Sequence, residues 1–217
     1  MSLVDEPVEI AVVDYGMGNR RSVEKALAHI GASATITRDH EQLRDAAGLV
    51  LPGVGAFPKA MENLERLGLA ELLVERVERG TPLLGVCLGM QLAFERSSEL
   101  GGATGLGIVP GEVRQLRAGA ELKLPHIGWN EVSFEAESPL VAELPSRCAF
   151  YHVHSFVAEP AEAQDVLGTA EYGESFVTAV RHGSFYGVQF HPEKSSAAGL
   201  RMLANFARVC LAAGVTR

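Results

Sequence analysis

A cysteine flanked by glycines is the sharpest chemical feature of this sequence. Cys87 lies in residues 85–91 (Gly-Val-Cys-Leu-Gly-Met-Gln), where an apolar segment is followed by a predicted helix. Glycines two positions before and after it let a strand and a helix pass closely, as in a nucleophile elbow with cysteine in place of serine. The turn exposes the sulfur, and the positive end of the helix favours the thiolate. The sequence therefore predicts Cys87 as a nucleophile, with the backbone N–H of Leu88 as one oxyanion donor.

A histidine and a glutamate follow a predicted strand near the end of the chain, in the triplet His191-Pro192-Glu193. Residues two apart in nearly extended backbone point to the same side, and proline keeps its predecessor out of a helix. Glu193 can then accept from one imidazole nitrogen of His191, which leaves the other as a base toward Cys87. The triplet alone is a weak signal, because such pairs are common at strand ends. Together with the elbow it predicts a Cys87–His191–Glu193 triad.

A glycine-containing turn supplies a third candidate. Residues 51–57 (Leu-Pro-Gly-Val-Gly-Ala-Phe) follow another predicted strand. Glycines let the backbone approach a ligand closely and direct N–H groups at it. We interpret Gly53, Val54 and Gly55 as the second half of an oxyanion hole. A simple strand-to-helix turn explains these residues equally well when they are taken alone.

Other cysteines and histidines have plainer explanations. A cysteine is more often a small buried residue than a nucleophile, and Cys148 and Cys210 lack the flanking glycines, so they are predicted to be core residues. His152 and His154 alternate along a predicted strand without a third ligand nearby. They are predicted to be core or substrate-facing residues, and no metal is expected.

No cofactor site is predicted from the glycine-rich loops. Gly16-Met17-Gly18 is followed by Arg21 where a dinucleotide fingerprint requires glycine. The Gly-Lys-Ser/Thr pattern of a phosphate loop does not occur in the sequence. We therefore expect neither a nucleotide nor any other cofactor.

The first half of the chain alternates short apolar runs with amphipathic stretches. The runs predict strands at residues 10–13, 34–37, 48–51 and 82–86. Helices are predicted over residues 23–30, from a cap at Asp39 to residue 46, and over residues 57–79, where Gly68 can interrupt the helix. This order predicts a mainly parallel central sheet with helices on both faces, an α/β fold.

The second half is strand-like and closes with a helix. Strands are predicted at residues 113–116, 129–134, 148–157, 165–171, 176–181 and 185–189, and a final helix at 195–212. Short polar turns join the strands, so antiparallel pairing is expected there. We predict one domain over residues 9–213, preceded by a disordered lead-in at 1–8.

The composition excludes several classes of function. The 217 residues are 47% apolar and 21% charged, which fits a folded globular domain. Net charge is −8 without a basic patch, so no nucleic-acid partner is expected. No apolar run reaches the roughly 18 residues of a membrane span, and the acidic N-terminal residues form no signal peptide. Three widely spaced cysteines favour a reducing compartment, so a cytoplasmic protein without a membrane partner is predicted.

Taken together, these segments resemble the class I glutamine amidotransferases. The resemblance extends over residues 12–196, and the elbow together with the His191-Pro192-Glu193 triplet is specific to that class. It implies a flavodoxin-like domain that hydrolyses L-glutamine to glutamate and ammonia through a cysteine thioester. It also implies that bound glutamine contacts Gln91, His154, Ser155 and Phe156.

Less widely shared segments are similar to one group in this class, the glutaminase subunits of imidazole glycerol phosphate synthases. They are residues 14–19 (Asp-Tyr-Gly-Met-Gly-Asn), 52–57 and 126–130 (His-Ile-Gly-Trp-Asn), although Arg20 stands where the group usually has an apolar residue. The similarity implies that ammonia passes to a separate cyclase subunit, a (β/α)8 barrel that forms a heterodimer with the glutaminase in histidine biosynthesis. Trp129, the only tryptophan, is then either an exposed anchor for that partner or a core residue.

Three alternatives stay open on the sequence. A glutaminase subunit of pyridoxal phosphate synthase usually has Gly-Gly-Glu-Ser where this chain has Gly53-Val54-Gly55-Ala56. A catalytically silent interaction subunit is disfavoured by the intact triad and Gln91, although a fold does not guarantee activity. A peptidase or γ-glutamyl hydrolase can use the same elbow, and assays against other amides would separate it.

Overall fold

The computed structural model describes residues 3–4, 8–119 and 122–215. The strands in these residues are β1 Glu9–Val13, β2 Ser33–Thr37, β3 Gly48–Gly53, β4 Leu83–Cys87, β5 Phe94–Ser97, β6 Ala103–Thr104, β7 Val109–Gln115, β8 His126–Phe134, β9 Arg147–His154, β10 Phe156–Pro160, β11 Val166–Glu171, β12 Ser175–His182 and β13 Phe185–Val188. The α helices are α1 Arg20–His29, α2 His40–Asp45, α3 Phe57–Arg66, α4 Leu69–Glu78, α5 Leu88–Leu92 and α6 Ser196–Val215.

All the strands join one branched sheet. Its main path runs β2-β1-β3-β4-β13-β12-β10-β7-β5-β6, and β11, β8 and β9 branch from β12. The first five strands of this path pair in parallel, and most of the remaining pairs are antiparallel. The predicted α/β class, with a mainly parallel centre and an antiparallel second half, is confirmed. The carboxyl ends of β3 and β4 lie side by side, with Gly53 opposite Cys87.

Local sequence signals explain where several helices begin and end. The Asp39 carboxylate accepts from the backbone N–H groups of Glu41 and Gln42, both at 3.0 Å, which confirms the predicted cap of α2. Gly68 has a φ of 65°, a left-handed conformation that glycine adopts easily. It separates α3 from α4, as the sequence indicated.

The antiparallel region departs from the prediction at Ser155. The sequence indicated one strand over residues 148–157, but the structure has β9 ending at His154 and β10 beginning at Phe156. β9 pairs with β8, whereas β10 pairs with β7 and β12. The chain therefore passes between two arms of the sheet at Ser155. The short strands β5 and β6 were also not predicted, since neither carries a clear alternating pattern.

The core has two layers, one on each face of the parallel sheet. Ile10 and Val12 of β1 pack on the side covered by α1 and α6, and Ala11 and Val13 pack on the side of α3 and α4. This alternation is the two-residue period of a strand buried on both faces. Within the residues that the structure describes, no helix is long and apolar enough to cross a membrane.

Part of the predicted lead-in contacts this core. Val4 and Val8 are buried, and the backbone N–H of Leu3 donates to the carbonyl of Ile30 at 2.9 Å. Residues 1, 2 and 5–7 of the lead-in lie outside the described residues. The domain bounds as a whole stay a prediction.

Candidate active site

The elbow forms where β4 meets α5. Cys87 ends β4 with a φ of 55°, a strained value for a residue with a side chain, and α5 begins at Leu88. A Cβ on Gly89 would collide with the carbonyl oxygen of Leu51. A Cβ on Gly85 would lie 2.7 Å from the carbonyl oxygen of Gly89. The two glycines therefore permit the close crossing of strand and helix that presents the sulfur.

The three residues of the predicted triad come together. Nδ1 of His191 lies 2.9 Å from Oε1 of Glu193, and both side chains are almost fully buried. The Cys87 side chain is the second group whose interaction with the ring raises the pKa of His191. Asn19 donates from Nδ2 to the same Glu193 oxygen at 3.1 Å. The arrangement can take a proton from the thiol, hold it on the imidazole and orient the ring through the carboxylate.

The pKa of His191 is raised from its ordinary value of 6.5 to about 9. Burial is the largest influence and lowers the pKa, but the hydrogen bonds to Cys87 and Glu193 and the charges of both groups together outweigh it. The charged form of the ring is therefore favoured, so a proton taken from the Cys87 thiol is stabilised on the imidazole.

A cavity of about 320 Å³ opens in front of the Cys87 sulfur. It is lined by seven of the eight residues predicted to bind substrate, namely Val54, Gly55, Leu88, Gln91, His154, Ser155 and Phe156. Cys87 and His191 also line it, together with Glu99, Pro125, Val153 and Lys194. A larger hollow of about 760 Å³ lies over residues 134–146, but Cys87 and His191 do not line it.

Gly53 is the predicted substrate residue that does not line the cavity. It is buried behind the turn, where a Cβ would lie 2.5 Å from the Tyr15 hydroxyl and 2.8 Å from the Leu88 Cβ. The Tyr15 hydroxyl donates to the carbonyl of Pro52 at 2.8 Å. Burial, with a smaller contribution from Cys87, raises the pKa of Tyr15, so the hydroxyl remains a donor. This hydrogen bond fixes the Pro52 end of the turn.

Gln91 has a fixed orientation at the cavity wall. Its Nε2 donates to the carbonyl of Phe156 at 3.1 Å and to Oε1 of Gln189 at 2.8 Å. Since an amide nitrogen carries two hydrogens, both are engaged, and the side-chain oxygen is the group that Gln91 can offer to a substrate donor.

His154 belongs to a cluster of buried imidazoles. Its Nδ1 lies 3.0 Å from the carbonyl oxygen of Phe156 and its Nε2 lies 3.0 Å from Nδ1 of His126. His152 is buried behind it, against Thr178. Burial lowers the pKa of His152 to about 3 and that of His154 to about 4, so both rings are neutral. Among the described residues, no group of His, Cys, Asp and Glu is arranged to hold a metal ion.

The two cysteines predicted to be core residues differ. Cys210 is fully buried, whereas Cys148 on β9 is only partly buried. Trp129 is 54% exposed, so the core interpretation of that residue was wrong.

Sequence reasoning missed several residues around the nucleophile. Gln189 is fully buried, and its Nε2 donates to the Cys87 sulfur at 3.6 Å. A signal for it was available, because Gln189 precedes His191 by two residues on an extended segment. Tyr15 and Asn19 lay in a segment recognised only for its resemblance, and Glu99 and Lys194 reach the cavity from elements whose placement the sequence does not specify.

Comparison with known proteins places the chain in a family. The model of the glutamine amidotransferase class-I family matches residues 11–210. Imidazole glycerol phosphate synthase subunit HisH of Moorella thermoacetica is 48% identical over 205 residues, which cover 94% of this chain and 97% of that protein. The subunit of the same name from Bacillus cereus strain G9842 is 50% identical over 197 residues, covering 91% and 93%.

Solved structures agree on the fold. A glutamine amidotransferase crystal structure matches with a TM-score of 0.70 at 22% identity, over 92% of this chain and 98% of that chain. PurLQS from Thermotoga maritima matches with a TM-score of 0.73 at 18% identity, over 94% and 98%.

The chain therefore belongs to the class-I glutamine amidotransferase family. Its relatives at 48% and 50% identity are subunits named HisH, and they align along nearly their whole length. The predicted family and enzyme class, a glutamine amidotransferase, are confirmed.

Proposed function

We propose that the chain is the glutaminase subunit of an imidazole glycerol phosphate synthase. It hydrolyses L-glutamine and delivers the ammonia to a cyclase subunit of (β/α)8-barrel type. The reaction belongs to histidine biosynthesis, and the protein acts in the cytoplasm. The single observation that carries the hydrolytic part is the buried His191–Glu193 pair, with Nδ1 and Oε1 2.9 Å apart, in a cavity wall that His191 shares with Cys87. The relatives named HisH support the assignment to this synthase.

In the proposed mechanism, Cys87 passes its proton to His191 and its thiolate attacks the side-chain carbonyl carbon of glutamine. A C–S bond forms, and the charge on the oxygen is stabilised by backbone N–H groups at Leu88 and at the Gly53–Gly55 turn. The C–N bond then breaks and His191 returns the proton to the leaving nitrogen, which departs as ammonia. Water attacks the thioester with His191 as base, releasing glutamate and restoring the thiol.

The partner surface that we propose consists of Ile127, Trp129, Tyr151 and Lys194, here called the β8 surface. Ile127 and Trp129 are 60% and 54% exposed, although both are large apolar residues. The Trp129 ring meets the Tyr151 ring edge-on at 6.2 Å, and Nζ of Lys194 lies 5.9 Å from the centre of the Tyr151 ring. Because Lys194 also lines the cavity, a protein docked here would stand beside the place where ammonia forms.

Co-expression with a candidate cyclase tests the proposal. We expect the two chains to purify together, and glutamine to support cyclase turnover at a pH where added ammonium salt is largely protonated. If glutamine is hydrolysed but never supports the cyclase, the chain is a glutaminase for another enzyme. If glutamine is hydrolysed neither with the cyclase nor without it, the catalytic assignment is wrong.

Replacing Cys87 with serine tests the nucleophile separately. A hydroxyl is a far poorer nucleophile than a thiolate at neutral pH, so glutamine hydrolysis should fall by more than about 1,000-fold. The fold should survive, since the two side chains are nearly isosteric. Cys148→Ser is the matched control and should retain normal turnover. Near-normal hydrolysis by Cys87→Ser would disprove the triad.

A further inference from the structure

The amide of Gln189 is fixed in one orientation by a chain of hydrogen bonds. The chain begins at the backbone carbonyl of Phe156, which can only accept. It therefore requires the Nε2 side of the Gln91 amide, at 3.1 Å. The second hydrogen of that nitrogen faces Gln189 at 2.8 Å, so the facing atom of Gln189 must be its oxygen. What remains of the Gln189 amide is its nitrogen, and this atom lies 3.6 Å from the Cys87 sulfur.

The surroundings allow the Gln189 side chain no other partner set. It is fully buried, and its backbone N–H is engaged with the carbonyl of Thr178 at 2.8 Å. Reversing the amide would place two N–H groups against each other at Gln91 and an oxygen against the sulfur. A buried polar group without a partner costs as much as a lost hydrogen bond or more, so the reversed state is disfavoured.

The thiol and thiolate forms of Cys87 have different hydrogen-bond partners. The carbonyl oxygen of Val153 lies 3.7 Å from the sulfur and can accept only from the thiol form. The Gln189 N–H can only donate, and hydrogen bonds to ionised acceptors are roughly twice as strong as neutral ones. The Gln189 contact therefore favours the thiolate.

We propose that Gln189 is a further catalytic residue, whose side-chain N–H stabilises the thiolate of Cys87. When the proton moves from the sulfur to His191, the electron pair left on the sulfur is held by this donor. The same donor assists the second half of the reaction, because the sulfur again becomes a thiolate when the thioester breaks. Gln91 acts as a positioning residue in this scheme, since it keeps the donor face of Gln189 toward the sulfur. The inference rests on the proposed role of Cys87 as nucleophile.

The test is the pH dependence of Cys87 alkylation by iodoacetamide, measured on the Cys87 peptide by mass spectrometry in a Cys148→Ser background. Gln189→Met removes the donor and should raise the apparent pKa of the Cys87 thiol by about one unit or more. Gln189→Glu places a carboxylate at the same position and should raise it further. Gln91→Met releases the orientation of Gln189 and should produce a smaller rise. An unchanged profile in all three variants would overturn the proposal.

A matched control separates this effect from general loss of packing. Asn205 is also a buried amide, but it donates to the carbonyls of Leu140 and Ala142, away from the nucleophile. Asn205→Leu should lower stability without moving the alkylation profile. An equal shift in this control would assign the effect of the Gln189 variants to loosening of the fold.

A measurement on the unmutated side chain covers the case in which the Gln189 variants fail to fold. One side-chain amide proton of Gln189 should move downfield in NMR spectra as Cys87 ionises, and this change should be absent in Cys87→Ser. An amide proton that does not respond to Cys87 ionisation would overturn the proposal. Neither readout requires glutamine turnover, so an inactive wild-type protein would count against the proposed function and not against this contact.

Discussion

At the scale of single residues, the protonation state of His191 is set by its two neighbours. Burial alone would keep the imidazole neutral, as it does for His152 and His154. His191 differs because interactions with Glu193 and Cys87 raise its pKa by more than burial lowers it. These two neighbours therefore favour the charged form of the His191 ring.

This pair gives a pH prediction for His191. Its pKa is raised above 6.5 to about 9, so the charged ring stabilises the fold fully below pH 6.5. That contribution is lost as the pH rises through about 9. In Cys87→Ser the hydroxyl does not ionise, so the pKa of His191 should fall toward its ordinary value. NMR titration of the His191 imidazole measures its pKa in the wild type and in Cys87→Ser. Identical pKa values in the two proteins would contradict the interaction between His191 and Cys87.

The two partners of Cys87 should differ in what their loss costs. In the proposed mechanism His191 moves the protons, whereas Glu193 orients the ring and stabilises its positive charge. We expect Glu193→Gln to retain at least about tenfold more glutamine turnover than His191→Ala. Steady-state rates of glutamate formation with a saturating partner measure the difference. Equal or reversed losses would show that these roles are misassigned.

At the scale of elements, the elbow depends on how closely β4, α5 and β3 pass one another. Gly89 lies in α5 against the carbonyl of Leu51 in β3, and no side chain fits between them. Gly53 in β3 similarly lies against Leu88 and the Tyr15 hydroxyl. The nucleophile and the proposed oxyanion turn are therefore held together by backbone contact across neighbouring strands.

Gly89→Ala should accordingly abolish activity as well as lower stability. The added Cβ collides with the Leu51 carbonyl oxygen, so the strand or the helix must shift, at a cost of about 1–3 kcal/mol or more. We expect a lower unfolding midpoint in urea and loss of glutamine hydrolysis. Gly214→Ala near the end of α6 is the control, because a Cβ there meets no atom within 4 Å. A Gly89→Ala protein with normal stability and turnover would contradict the close crossing.

At the scale of the whole molecule, the site lies where the parallel sheet meets its antiparallel extension. Cys87 at the end of β4 and the turn after β3 line the cavity, together with Val153 through Phe156 from β9 and β10. The β8 surface lies on the adjoining strand pair, since Trp129 and Tyr151 are register partners. A partner bound there can influence the cavity through β9.

This arrangement predicts that the isolated subunit is a poor glutaminase that the cyclase activates. Tyr15 holds the Pro52 carbonyl, and the glycines at positions 53 and 55 permit more than one orientation of the Gly53-Val54 peptide. Loss of one oxyanion donor costs roughly 100- to 1,000-fold in turnover. Partner binding would shift the population toward the donating orientation. Glutaminase rates with and without the cyclase measure the effect. Full activity of the lone subunit would contradict the switch.

Trp129→Ala tests the docking part of the same prediction. Loss of an exposed aromatic anchor should weaken cyclase binding by more than about fivefold, as judged from titration of the activation. Val74→Ala on α4 is the control for an apolar truncation on another element. If Trp129→Ala binds and responds normally, the β8 surface is wrongly assigned, while the activation itself is unaffected.

The sequence by itself was enough to predict the triad, the elbow and the order of the main elements. Cys87 with its glycines, and His191-Pro192-Glu193, are short segments whose local geometry follows from glycine, proline and extended backbone. Their chemistry could be inferred because nucleophile, base and carboxylate are recognisable at fixed spacings. Periodic apolar runs likewise fixed the α/β class, since a buried parallel strand and an amphipathic helix differ in their repeat.

Only the tertiary structure decided which distant residues complete the site. Gln189 meets Cys87 across 102 positions of sequence, and Asn19 meets Glu193 across 174. The break at Ser155 and the exposure of Trp129 depend on which strands become neighbours. Such contacts follow from the order and register of the strands in the sheet. That order results from burial summed over the whole chain, and no local pattern encodes it.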